Sequence, residues 1–186
     1  AVFFGYNEIR KCKRRNNVTS LFRLEKMIMK EILLYHGGKE VIEFPEIRKT
    51  KYTKDFSWGF YCTKSLEQAK RWASRRNQTG IVNVYSYQEN ADLKILRFEK
   101  MTDEWLDFIG QCRSGYVHDY DIVEGPMADD TIWNFVNDFL NGTISRKVFW
   151  DYAEFKYPTH QMSFHTLKAL DCLRYERSER VEQGRI

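Results

Sequence analysis

Residues 57–73, SWGFYCTKSLEQAKRWA, change their period midway. Up to Thr63 the side chains alternate, with Trp58, Phe60 and Cys62 on one side and Tyr61 and Thr63 on the other, the mark of a half-buried strand. From Ser65 the spacing becomes helical. Leu66, Ala69, Trp72 and Ala73 share one face, and Ser65 with Gln68 matches a capping box, in which each side chain serves the other's backbone N–H. A strand running straight into a capped helix puts both element types in one core.

The same alternation of elements extends outward in both directions. Upstream, EILLYHGGKEV (31–41) predicts a strand over 31–36 that ends at His36 and breaks on Gly37 and Gly38. Downstream, strands are predicted at 81–87 and 92–98, then a helix over 103–112 with Trp105, Phe108, Ile109 and Cys112 on one face. Two helical stretches follow DYDIVEG. The first carries Ile132, Phe135, Val136, Phe139 and Leu140, and the second enters at Ser145 as N-cap. A strand at 160–164 leads into a closing helix with Leu167, Leu170 and Leu173. The order predicts an α+β fold with helices inserted between early and late strands. Residues 1–28 read as a basic N-terminal appendage or linker, 29–173 as the domain, and 174–186 as a charged C-terminal tail with a frayed helical end.

Bulk properties narrow the class. With 186 residues, 42% hydrophobic and 16% aromatic, the chain suits one globular domain with a real core. No apolar run reaches the ~20 residues that span a bilayer, so a soluble cytoplasmic protein is expected, with no membrane partner. Cys12, Cys62, Cys112 and Cys172 lie far apart and form no C-x-x-C pair, which argues for reduced thiols over a zinc knuckle or disulfide framework. The net charge is +4, but residues 1–30 hold eight Lys/Arg against Glu8 and Glu25, giving +6, so the remainder carries −2. The cluster RKCKRR (10–15) could dock on a phosphate backbone; a solvated segment is the favoured account.

Strand alternation also predicts which side chains face a cleft. In HQMSFHT, Met162 and Phe164 share an apolar face, while Gln161, Ser163 and His165 take the other. His36, Tyr61 and Gln161 are thus candidates to converge on a sheet-lined groove. His160 and His165 fit no standard metal spacing, and no metal is expected. Neither a P-loop nor G-x-G-x-x-G occurs.

LYHGG, DFSWGFYCT, SLEQAKRWA, VNVY, DYDIVEGPMADD and PTHQMSFHTLKAL, taken in order over residues 31 to about 173, resemble a bacterial domain of unknown function assigned to the ADP-ribosyltransferase superfamily. The resemblance implies a split β-sheet core and the use of NAD as co-substrate. His36 matches the first-strand histidine of the superfamily's His-Tyr-Glu type, which holds a ribose hydroxyl, with Gly37 offering backbone groups to the nicotinamide amide. On this reading, the missing Cβ of the glycines admits that close approach. Tyr61 matches the tyrosine that stacks on nicotinamide, and Thr63 and Trp72 are taken as further NAD-binding residues. Gln161 stands where the family type has glutamate.

The chemistry gives each residue type its reason. Breaking the nicotinamide–ribose bond passes through an oxocarbenium-like sugar, as in glycoside cleavage. A carboxylate at position 161 would grip a ribose hydroxyl and stabilise the developing cation; Gln161 makes the hydrogen bond without the charge. Loss of one such stabiliser costs about 2–4 kcal/mol. The resemblance therefore implies mono-ADP-ribosylation of a macromolecular acceptor, protein or nucleic acid, in a toxin or defence effector with a possible antitoxin or immunity partner. A catalytically weak NAD or ADP-ribose binding module, and a nucleic-acid-directed transferase using residues 10–15, are the alternatives. Asp121, Glu124, Asp129 and Asp130 are candidates for a compensating acid. Helix N-terminal capping is favoured for Asp129 and Asp130, and solvent-facing strand positions remain open for Asp121 and Glu124. Arg113 reads as an exposed helix-end cation, with an NAD phosphate as the second reading.

Overall fold

The computed structural model describes residues 32–49, 54–74, 79–128, 130–153 and 159–181. The predicted appendage 1–28, with its basic cluster and Cys12, lies outside them. The described residues form an α+β fold of two sheets and five helices. In chain order the elements are β1 (Ile32–Gly38), β2 (Phe60–Cys62), α1 (Leu66–Ala73), β3 (Gly80–Tyr87), β4 (Ile95–Arg97), α2 (Asp103–Arg113), β5 (Ile122–Met127), α3 (Asp130–Leu140), α4 (Arg146–Ala153), β6 (Thr159–Phe164), α5 (Leu167–Leu170) and β7 (Leu173–Val181).

A three-stranded antiparallel sheet has the order β1-β3-β7, and a four-stranded sheet the order β2-β6-β5-β4, in which β4 and β5 are parallel. The sheets touch where Tyr35 and Thr63 exchange backbone hydrogen bonds of 2.8 and 2.9 Å. Between them lies a core of Leu34, Phe60, Cys62, Tyr85, Ile122, Met162 and Phe164. The opposite face of the four-stranded sheet packs on α2, α3 and α4 through Val123, Trp105, Leu106, Ile109, Val136 and Phe149. α1 covers the outer face of the three-stranded sheet, with Ala69 and Ala73 against Val82 and Val84. Each sheet therefore buries alternate residues on opposite sides, as period-two patterning requires.

Four expectations need correction. Residues 173–181 form a strand paired along β3, where a charged, frayed helical end was expected. The predicted closing helix is a single turn capped by Thr166, and Leu173 already belongs to β7. Ser65 does cap α1, accepting from the Gln68 N–H at 3.2 Å, but the Gln68 side chain does not return to the cap; it donates to the His160 carbonyl at 2.8 Å and ties α1 to β6. Trp72, placed by spacing on the buried face of α1, is 40% exposed, because only the small Ala69 and Ala73 fit against the strands.

That close approach explains the glycine of β1. A Cβ on Gly37 would lie 2.2 Å from the Ala69 carbonyl oxygen of α1, and one on Gly80 of β3 would lie 2.0 Å from that of Ala73. The absent side chain admits a helix backbone, where admission of a ligand was expected. Since Tyr35 spends its N–H and C=O on Thr63, strand alternation directs those of Gly37 to the same edge, away from β3.

Candidate functional site

A cavity of about 360 Å³ opens at the seam between the sheets. Its lining includes His36 and Gly37 from β1, Tyr61, Cys62 and Thr63 at β2, Gln68, Ala69 and Trp72 from α1, Lys54 and Asp55 ahead of β2, Met127 and Ala128 at the end of β5, and Gln161 from β6. The six residues expected to form the NAD site, His36, Gly37, Tyr61, Thr63, Trp72 and Gln161, line this one cavity. Pairing brings them there: β2 is registered on β6 with Tyr61 opposite Ser163, so the Tyr61 and Gln161 side chains share the sheet face opposite the inter-sheet core.

His36 is fixed in ring position and tautomer. Its ring stacks on Phe60 at 4.6 Å, and Nδ1 lies 2.7 Å from the Tyr61 carbonyl oxygen, an acceptor only, so Nδ1 carries the proton. Burial lowers its pKa, the Tyr61 carbonyl partly opposes this, and Lys54 adds to the lowering. The ring is neutral and its Nε2 is an acceptor.

Tyr61 is held by its phenol, which donates to the Ser57 carbonyl at 2.6 Å and accepts from the Phe56 N–H at 3.1 Å. Ser57 takes a left-handed φ of 69° to present that carbonyl. Burial, then the nearby Asp55 charge, pushes the Tyr61 pKa well up, so the phenol stays protonated. One face of the ring carries the Lys54 ammonium 4.4 Å from its centroid. Partial desolvation lowers the Lys54 pKa, and among the described residues Lys54 has no carboxylate partner. Thr63 is buried and its hydroxyl accepts from the Ser65 N–H at 3.1 Å, supporting the turn into α1.

Gln161 is 6% exposed and Asp55 7% exposed. Gln161 Nε2 donates to Asp55 Oδ2 at 3.1 Å and reaches the Pro126 carbonyl at 3.4 Å. Asp55 Oδ1 accepts from Arg113 Nη2 at 2.6 Å and Nε at 3.2 Å, while Oδ2 also accepts from the Ala128 N–H at 2.9 Å. Arg113 is therefore a buried ion-pair partner, where an exposed helix-end cation or a phosphate contact was expected, because the last turn of α2 turns inward over Asp55.

Asp55 is the acid that sequence reasoning missed. Asp121 is buried, where a solvent-facing position was one expectation; it accepts from the Lys94 N–H at 2.8 Å and the Thr166 hydroxyl at 2.7 Å and pairs with Lys168. Glu124 sits among Lys64, Arg97 and His160, and the bond from His160, the largest cause, with that from Lys64 holds its pKa down to about 2 against the opposing effect of burial. Neither lines the cavity. Asp129 lies outside the described residues, and Asp130 is the first residue of α3. Asp55 follows a break in the pattern, and only its tertiary partners reveal it.

Among the described residues no His/Cys/Asp/Glu cluster could hold a metal, and no helix is long and apolar enough to cross a membrane. Cys62, Cys112 and Cys172 are free thiols.

Residues 32–175 match the family model described as a protein of unknown function, DUF3990. The chain belongs to that family. The match runs from β1 into β7, so it takes in every strand and helix that lines the cavity. No curated protein shows a significant match to the chain.

Proposed function

We propose that this DUF3990 domain is an NAD-dependent mono-ADP-ribosyltransferase of the ADP-ribosyltransferase superfamily, acting on a macromolecular acceptor. The observation that carries the reading is the convergence of His36, Gly37, Tyr61 and Gln161 on one cavity at the seam of a split sheet. The hydrogen-bond inventory fits the ligand. His36 Nε2 and the Gln161 carbonyl are acceptors suited to ribose hydroxyls, and the Gly37 peptide offers a donor and an acceptor to the nicotinamide amide. Nicotinamide takes the Tyr61 face on which Lys54 rests, and the displaced ammonium suits the dinucleotide phosphates.

In the reaction, the C1′–N bond of NAD breaks with its electron pair going to nicotinamide, which leaves neutral. The oxocarbenium-like ribose is captured by a nucleophile of the acceptor, which then loses its proton. His36 and Gln161 orient the ribose, and the Tyr61 ring orients the leaving group. The role as a toxin or defence effector, with an immunity partner, rests on the superfamily resemblance alone.

The test is nicotinamide release from NAD by the purified protein, alone and with lysate or RNA. Tyr61→Ala is expected to lower release or NAD affinity about tenfold or more, and His36→Ala likewise, while Tyr61→Phe, which keeps the ring, retains most of it. Absence of both release and NAD binding in the wild type rejects the proposal. A second reading, a module that holds NAD or ADP-ribose without turnover, is favoured by one observation: Gln161 is uncharged, and the acid behind it is paired with Arg113. NAD binding without release under any addition selects it.

A further inference from the structure

The amide of Gln161 has two possible orientations, differing by exchange of its oxygen and nitrogen. Asp55 Oδ2 lies 3.1 Å from one terminal atom of that amide, and the Pro126 carbonyl oxygen lies 3.4 Å from the same atom. Both neighbours are acceptors, so that atom is the nitrogen, and the carbonyl oxygen Oε1 points the other way. No described residue donates to Oε1, and Gln161 lines the cavity. Asp55 cannot rotate to release the amide, because Arg113 holds one of its oxygens and the Ala128 N–H holds the other. Arg113 is in turn braced by Asn137 of α3 at 3.3 Å.

We infer that Asp55 is a positioning residue which locks the Gln161 amide so that an uncharged acceptor, and never a donor, faces the ligand in the cavity. The inference rests on the NAD reading for the identity of that ligand. The charges of Arg113 and Asp55 offset each other, so what reaches the cavity is orientation, with little net field. Recognition is then selective for a ligand hydroxyl at this point. The lock also changes what Gln161→Glu does. An ionised carboxylate at position 161 would face the Asp55 carboxylate across the same hydrogen-bond distance, and like charges so placed cannot both ionise readily. Protonated, the acid reproduces the amide, with its O–H on Asp55 and its C=O toward the cavity.

The experiment is calorimetric titration of NAD into wild type and Gln161→Glu across pH. The variant is expected to bind about tenfold more weakly than wild type at about pH 8 and to recover to within about threefold at about pH 5.5. Adding Asp55→Asn to that variant lowers the midpoint of the recovery by about a unit or more, which burial alone would not do. Equal or tighter binding by Gln161→Glu at high pH overturns the inference, since it would mean that a charge is tolerated there. An unmoved midpoint in the double variant, if that variant folds, also overturns it.

Failure of the wild type to bind NAD rejects the NAD reading and leaves the lock to thermal melting of the same proteins. A melting temperature of Gln161→Glu that falls relative to wild type as pH rises supports it. Melting that parallels wild type at every pH overturns it.

Discussion

Among the described residues the domain buries two aspartates, Asp55 and Asp121, with nearly the same retinue. Asp55 accepts from a backbone N–H (Ala128), a cation (Arg113) and a side-chain amide (Gln161); Asp121 accepts from a backbone N–H (Lys94), pairs with a cation (Lys168) and accepts from a hydroxyl (Thr166). The difference lies in where the partners lead. Asp121 fastens β4, β5 and the turn into α5 to one another, and its chain of bonds ends in protein. Asp55 joins α2 and the end of β5 to a side chain that borders the cavity, so its chain ends at a ligand surface. A satisfied buried acid is structural by itself, and the last partner in its network decides whether it also serves a site.

The largest break in this comparison comes from Asp55→Ala. Arg113 has a side chain only 7% exposed, so removal of its partner strands a buried cation, and a loss of about 3–5 kcal/mol is expected in urea unfolding. Acid separates the two regions next. Burial brings His165, whose backbone N–H bonds the Asp121 carbonyl, from its ordinary 6.5 down to about 4, with the Trp58 carbonyl only partly opposing this. The folded state thus holds His165 neutral while the unfolded chain protonates it. The contribution is complete above 6.5, erodes as pH falls from 6.5 toward 4, and amounts to about 3 kcal/mol at most. Unfolding measured against pH should show that slope, and His165→Gln should flatten it. Asp121→Ala is the smallest, about 2 kcal/mol, because Lys168 is 57% exposed and returns to water, leaving only the Lys94 N–H and the Thr166 hydroxyl to be satisfied. If Asp121→Ala costs as much as Asp55→Ala, the distinction between the two acids fails.

Period-two alternation made much of this legible. Met162 and Phe164 enter the inter-sheet core and Gln161 takes the other face, as the sequence pattern requires, because a strand leaves its side chains no third choice. Asp55 was hidden for the opposite reason. Its partners are 58 and 106 residues away, and a residue outside any periodic segment shows nothing of such contacts. Gly37 was legible as a place of close approach, but a glycine does not say what approaches, and the visitor is α1. β7 misread as a helical tail because its outward residues are nearly all charged, which obscures the few that pack.

That charge has a consequence of its own. On its outer side β7 pairs with no described strand, and it carries Arg174, Glu176, Arg177, Glu179 and Arg180. Ion pairs along the strand, Arg174 with Glu176 at 2.8 Å and Arg177 with Glu179 at 2.9 Å, join four of these side chains within the molecule. A second chain seeking to extend the sheet beyond β7 must strip water from these charges, four of which already have partners, and that cost disfavours edge-to-edge pairing at this strand.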